Sequence, residues 1–135
     1  MRYIVLIDGE AGSYGVVFPD LPGCTAMGRT VDEALAHAAD ALRDWVELSE
    51  EQGAAVPGPR PIEVLRAEPE VAEALSAGAT LAAVPLVRDT GRPVKANLSL
   101  DAGILAAIDA EAARRKLTRS AFIELMARRM LSEVA

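Results

Sequence analysis

The sequence predicts an α+β protein in two parts: a strand-rich first half carrying one long amphipathic helix, then a strand–helix–helix tail. Three observations support this. Short β-rich apolar runs near the start are separated by Gly, Pro and Asp turn residues. The segment from Thr30 to Gly53 sorts its apolar and acidic residues onto opposite helical faces. Beyond residue 91 the charge changes sign, and a strictly alternating run precedes two capped helices.

Tyr3-Ile4-Val5-Leu6-Ile7 and Tyr14-Gly15-Val16-Val17-Phe18 flank the turn residues of 8–13 and read as a hairpin. Pro19, Pro22 and Gly23 force a bend, after which residues 24–28 supply a short third strand. That bend reads as a rigid turn setting the register of the third strand. Thr30 and Glu33 fit a capping box, each satisfying one backbone donor at a helix start. In the helix that follows, Leu35, Ala38, Leu42, Trp45, Val46 and Ser49 fall within about 100° of arc, and Glu33, His37, Asp40, Asp44, Glu47 and Glu51 within about 80° opposite. The first face packs on the sheet, and the plain reading of the second is a solvated surface. Gly53 ends the helix, residues 57–61 form a Pro-rich connector, and Pro69 starts a short helix closed by Gly78. Residues 80–87 return as a strand that Pro85 confines to a sheet edge or ends early. Residues 88–91 mark the boundary between a domain at 1–88 and one at 92–135.

In the tail, Val94, Ala96, Leu98 and Leu100 share one face of a period-two strand, and Lys95, Asn97 and Ser99 share the other. Asp101 caps a helix bearing Ile104, Leu105, Ile108 and Ala112, and Arg114, Arg115 and Lys116 suit the negative end of its dipole. Thr118 caps a second helix with Phe122, Ile123, Leu125, Met126 and Met130.

Composition narrows the function. The chain has 135 residues, 51% apolar and 25% charged, enough to bury a core. No apolar run approaches the about 20 residues of a membrane span, and the expectation is a cytoplasmic protein with no membrane partner. Cys24 is the only cysteine and His37 the only histidine, so no disulfide, metal site, cofactor or catalytic set is expected. Cys24 reads as a buried structural thiol, His37 as solvated and Trp45 as packing. Residues 1–91 carry six basic and fifteen acidic side chains, a net −9; residues 92–135 carry eight and five, a net +3. An acidic body with a basic tail implies two surfaces with different partners.

A lone strand cannot satisfy its own backbone, and two short helices cannot bury so broad an apolar face. Pairing two copies through the strand solves both problems, giving an antiparallel ribbon above a shared four-helix core. The ribbon then offers Lys95, Asn97 and Ser99 twice, in a shape the DNA major groove admits, which makes them the expected base readers. Thr118, Arg119 and Ser120 at a helix N-terminus, together with Arg92, are the expected phosphate contacts. The plainer alternative is a dimerisation module that touches no DNA.

Over residues 92–132 the chain resembles the ribbon-helix-helix DNA-binding family. The run Tyr14-Gly15-Val16-Val17-Phe18-Pro19-Asp20-Leu21-Pro22-Gly23-Cys24, with Gly28, Thr30, Glu33 and Ala34, resembles the N-terminal domain of HicB-type antitoxins. Residues 57–78 match no recognisable pattern. The resemblance implies a partial ribonuclease H-like domain of three strands, a helix and a further strand, which does no chemistry. It implies two partners: a HicA-type toxin, an mRNA-cleaving ribonuclease that this domain caps, and operator DNA, whose transcription the tail represses as a homodimer or a tetramer. On that reading Glu33, Asp40, Asp44 and Glu47 are the toxin-facing residues. Two alternatives stay open: a stand-alone ribbon-helix-helix regulator with a ligand-sensing first domain, and a weak nuclease. Against the last, Asp8 and Asp20 find no third strand-borne acid to complete a magnesium site.

Overall fold

The computed structural model describes residues 1–88 and 91–132. They form two compact units, Met1–Val87 and Arg88–Leu131. The first contains strands β1 (Arg2–Glu10), β2 (Ser13–Val17) and β3 (Thr25–Gly28), helices α1 (Val31–Glu51), α2 (Ile62–Ala67) and α3 (Pro69–Ser76), and strand β4 (Thr80–Pro85). The second contains helices α4 (Ala102–Arg114) and α5 (Arg119–Ser132). The sheet order is β3-β2-β1-β4, with every neighbouring pair antiparallel.

The hairpin is tighter than the turn chemistry of residues 8–13 suggests. Pairing continues until Glu10 faces Ser13. Gly9 and Gly12 make this possible, with φ of +100° and +92°; a Cβ on Gly9 would lie 2.2 Å from the Ser13 carbonyl oxygen. Alternation along β1 sends Tyr3, Val5 and Ile7 into the core, where Val16 and Val84 join them beneath α1. The helix contributes Ala34, Leu35, Ala38, Leu42 and Val46, with Trp45 packed partly buried against the same core. At the start of α1 the Glu33 amide donates to Thr30 Oγ1 at 3.1 Å, while the Glu33 carboxylate accepts from the Arg29 amide at 3.3 Å. Gly28 lets β3 approach that first turn, since a Cβ there would sit 2.4 Å from the Ala34 nitrogen.

The bend after β2 consists of consecutive turns that deliver three apolar side chains inward. Leu21 N donates to Phe18 O, Cys24 N to Leu21 O and Phe18 N to Cys24 O, and Phe18, Leu21 and Cys24 are all buried. Asp20 is buried beside them. Its carboxylate accepts from Arg60 Nε at 2.5 Å and from the Arg60 backbone amide at 3.0 Å, and Arg60 Nη1 donates to Glu68 at 2.7 Å. A buried carboxylate is tolerable only with such partners. The Tyr3 hydroxyl donates to the Pro57 carbonyl at 2.7 Å, and burial, with the nearby Asp20 charge, pushes the phenol pKa up. The bend is therefore also the anchor of the connector. It ties down residues 57–68, a segment that matches no sequence pattern and holds a helix the periodicity does not predict. Six residues are too few to show a period, yet Leu65 of α2 and Val71 of α3 are buried.

Pro85 is the last residue of β4, and β4 is an edge strand. In the second unit Asp101 caps α4, accepting from Gly103 N at 2.8 Å and Ile104 N at 3.2 Å. The helix ends with Lys116 in the left-handed region at φ +58°, where Leu117 N bonds Ala112 O and Lys116 N bonds Ala113 O. Thr118 Oγ1 accepts from Ala121 N at 3.1 Å to open α5.

Candidate nucleic-acid and partner interfaces

In the second unit, residues 92–101 carry no regular secondary structure, and every residue from 91 to 100 is exposed. The alternating run thus forms no strand within the single chain, because a strand needs a neighbour to take its backbone groups. Val94 is 88% exposed and Met130 69%, and Leu98, Leu100 and Ile104 are exposed as well. Among the described residues of this unit, only Ala112 and Phe122 count among the buried apolar side chains. Exposed apolar side chains gathered on one unit in this way mark an interaction surface.

Val94, Leu98 and Leu100 line an open cleft of about 500 Å³ together with Leu105 of α4 and Ile123 of α5. Of the residues expected to read DNA, Asn97, Arg119 and Ser120 come together on this cleft; Lys95, Ser99, Thr118 and Arg92 do not line it. Arg119 is engaged within the unit. Its Nε and Nη2 donate to the two Asp109 carboxylate oxygens, both at 2.8 Å, which holds the Asp109 carboxyl below its ordinary range and raises the guanidinium. A phosphate at this helix start must share or displace that bidentate pair. Sequence reasoning missed Asp109, although the ten-residue spacing across a short turn offered no local signal for it. Glu111 is likewise held, its carboxyl pulled down to about 2 by Arg114 and then Arg115. Arg115 also lies over the Phe122 ring, 5.5 Å from its centroid.

In the first unit, Glu33, Asp40 and Asp44 are exposed along α1 and Glu47 partly so. Their charge is moderated by Arg43, 3.4 Å from Asp40 and 3.8 Å from Asp44. His37, in the same stripe, is exposed, and its Nδ1 bonds the Met27 carbonyl of β3 at 2.7 Å, so the ring is not simply solvated. Two large apolar side chains flank this face, Leu48 at 53% exposure and Met27 at 67%. Leu48 was legible as an apolar residue just outside the acidic arc.

Among the described residues, no three His, Cys, Asp or Glu side chains gather closely enough to hold a metal ion. Burial pushes the Cys24 thiol to about 11, which keeps it protonated at neutral pH. Among the described residues, no helix is long and apolar enough to cross a membrane.

A model of the family described as HicB-like antitoxin of bacterial toxin-antitoxin systems matches residues 3–127, spanning both units. The chain belongs to this family. The crystal structure of the antitoxin HicB from Burkholderia pseudomallei is 32% identical to this HicB-like chain, with a TM-score of 0.54, covering 97% of this chain and 98% of that one. The crystal structure of antitoxin HicB3 is 26% identical, with a TM-score of 0.54 and the same coverage. A 14.9 kDa protein from the rep-hol intergenic region of Haemophilus phage HP1 is 31% identical over 109 residues, 81% of this chain and 80% of its own length. The HicB-like family is thus one of antitoxins, and the similarity runs through the acidic unit and the basic tail alike.

Proposed function

We propose that this antitoxin acts through two surfaces, the first unit masking a HicA-type ribonuclease toxin and the second repressing transcription as a paired ribbon-helix-helix. The observation that carries the second role is the exposed, unpaired run 94–100 above apolar faces of α4 and α5. Two such runs paired antiparallel satisfy one another's amides and cover the cleft with the other copy's apolar residues. On pairing, Asn97 turns out of the cleft it lines in the single chain and joins Lys95 and Ser99 on the outer face in duplicate, with Arg92 and residues 118–120 at the start of α5 toward the phosphates. The Arg119–Asp109 pair makes Arg119 a shared phosphate contact rather than a dedicated one.

The charge division supports the first role. An enzyme that grips RNA is basic, and the net −9 of residues 1–91 steers such a partner toward its inhibitor. Asp40, Asp44 and Glu47, with Glu33 at the helix start, form the candidate docking ridge, and Leu48 supplies an exposed apolar contact at its margin. The chain does no chemistry in this reading; it covers the toxin's RNA-binding surface.

The deciding experiment is a gel-shift titration on DNA upstream of the gene, with Lys95→Ala/Asn97→Ala beside the unaltered protein. Loss of about 1–3 kcal/mol per side chain, with the dimer intact by sedimentation, is expected. Unchanged affinity would overturn the groove assignment. Failure of a neighbouring gene's product to copurify would overturn the toxin assignment.

A further inference from the structure

The turn between α4 and α5 carries four cations in six residues, Arg114, Arg115, Lys116 and Arg119, a density that attracts any nucleic-acid backbone. Carboxylates of the same unit neutralise most of it. Glu111 holds both Arg114 and Arg115, and Asp109 holds Arg119. Of these four, only Lys116 has no carboxylate partner among the described residues.

The pairs differ in kind. Glu111 meets its arginines three and four positions along the chain, where such contacts form readily. Asp109 belongs to α4, whereas Arg119 is the first residue of α5. The turn between them is fixed by Lys116 at φ +58°, with Leu117 N donating to Ala112 O at 2.8 Å, and by the burial of Ala112 and Phe122. The backbone thus sets where the Arg119 side chain starts, and Asp109 sets where it points.

A guanidinium has two forks of parallel N–H groups. The Arg119 fork made by Nε and Nη2 is fully used, with both bonds to Asp109 at 2.8 Å. The fork made by Nη1 and the second Nη2 hydrogen has no partner among the described residues, and the side chain is 56% exposed. An arginine free to turn follows a phosphate through many positions, but one held by a carboxylate meets only a phosphate lying along its open fork. Elsewhere the pair must break, and the released carboxylate repels the phosphate that displaced it.

We propose that Asp109 is a specificity-determining residue, pinning Arg119 so that its open fork accepts a DNA backbone phosphate in one register and resists the rest. The inference rests on the DNA-binding reading of the second unit given above and supplies that reading with a means of weakening contact with unrelated sequence. Phosphate contacts carry no sequence information themselves, so a contact usable in one register lets base readout decide. Breaking an exposed pair of this kind lowers affinity by about two- to fivefold.

Fluorescence-anisotropy titration of the full-length protein on two duplexes of equal length, the DNA upstream of the gene and a scrambled sequence, tests this. The proteins are the unaltered chain, Asp109→Asn, Arg119→Ala and the double variant. Asp109→Asn is expected to tighten binding to the scrambled duplex about two- to fivefold and to gain less on the upstream duplex, narrowing the preference. In the Arg119→Ala background, with no fork left to aim, the same change is expected to shift both duplexes alike and leave the preference where it was. Equal gains on both duplexes, or a preference that narrows without Arg119, make Asp109 a plain repulsive charge and overturn the pinning while the DNA-binding reading stands. Weaker binding of both duplexes with a lower unfolding temperature makes the pair a structural tie between α4 and α5 and overturns it equally. An unaltered protein that binds neither duplex, or both alike, overturns the DNA-binding reading and this inference together. If Asp109→Asn does not fold, the Arg119 Nε–H signal of the unaltered protein by NMR decides. Slow exchange in the upstream complex and fast exchange in the scrambled one are expected, and the same behaviour in both overturns the pinning.

Discussion

Removing one or the other member of the Asp20–Arg60 pair should have unequal consequences. Asp20 is 7% exposed, whereas the Arg60 side chain is 40% exposed and keeps Glu68 as a second partner. In Arg60→Ala the carboxylate stays buried and retains only the backbone amide of residue 60. Stranding a buried charge costs about 3–5 kcal/mol, and that surviving hydrogen bond places the expected loss near about 3. In Asp20→Asn the amide oxygen still accepts from that backbone N–H, and the guanidinium left behind sees solvent and Glu68. The loss should be nearer about 1–2 kcal/mol. The pair acts as a unit, so Asp20→Asn/Arg60→Ala should cost less than the sum of the single changes by about 1–2 kcal/mol. Urea unfolding of each protein by far-UV circular dichroism gives these values from shifts in midpoint at constant slope. Equal losses for the two single variants, or strict additivity, would refute the account of Asp20 as a buried charge that depends on the connector.

Gly28→Ala should cost about 1–3 kcal/mol, since its methyl would meet backbone of the first turn of α1; thermal unfolding reads it, and Gly58→Ala, with open space around it, serves as the neutral control. Thr30→Ala should cost about 1 kcal/mol through the lost α1 cap, measured by the same unfolding assay. The Glu111 carboxyl lies below its unfolded value, so its contribution is complete above about pH 4.5 and is lost as pH falls toward about 2; Glu111→Gln should remove that step from the acid unfolding curve of the tail. Asp40→Lys/Asp44→Lys should slow capture of a basic toxin severalfold at low salt and much less at high salt in stopped-flow association. Equal rates in both salts would exclude the α1 ridge from the encounter.

Much of the molecule was legible from residue order because its signals are local. Alternation in β1 and β2, the Thr30 and Asp101 caps, the α1 apolar arc and the Pro85 stop each depend on neighbours within a few positions. So does the sign change of the charge after residue 91, which local counting finds. What residue order left undecided involves groups far apart in the chain, whose meeting no periodicity encodes. Asp20 meets Arg60 across forty positions, Tyr3 meets Pro57 across 54, and Arg119 meets Asp109 across a turn. Only the folded structure shows that the bend anchors the connector, that α2 exists, and that the Arg119 guanidinium already holds a carboxylate. The run 94–100 shows the division most plainly. Its period-two pattern fixes which side chains share a face, but whether it becomes a strand depends on hydrogen-bonding groups outside the single chain.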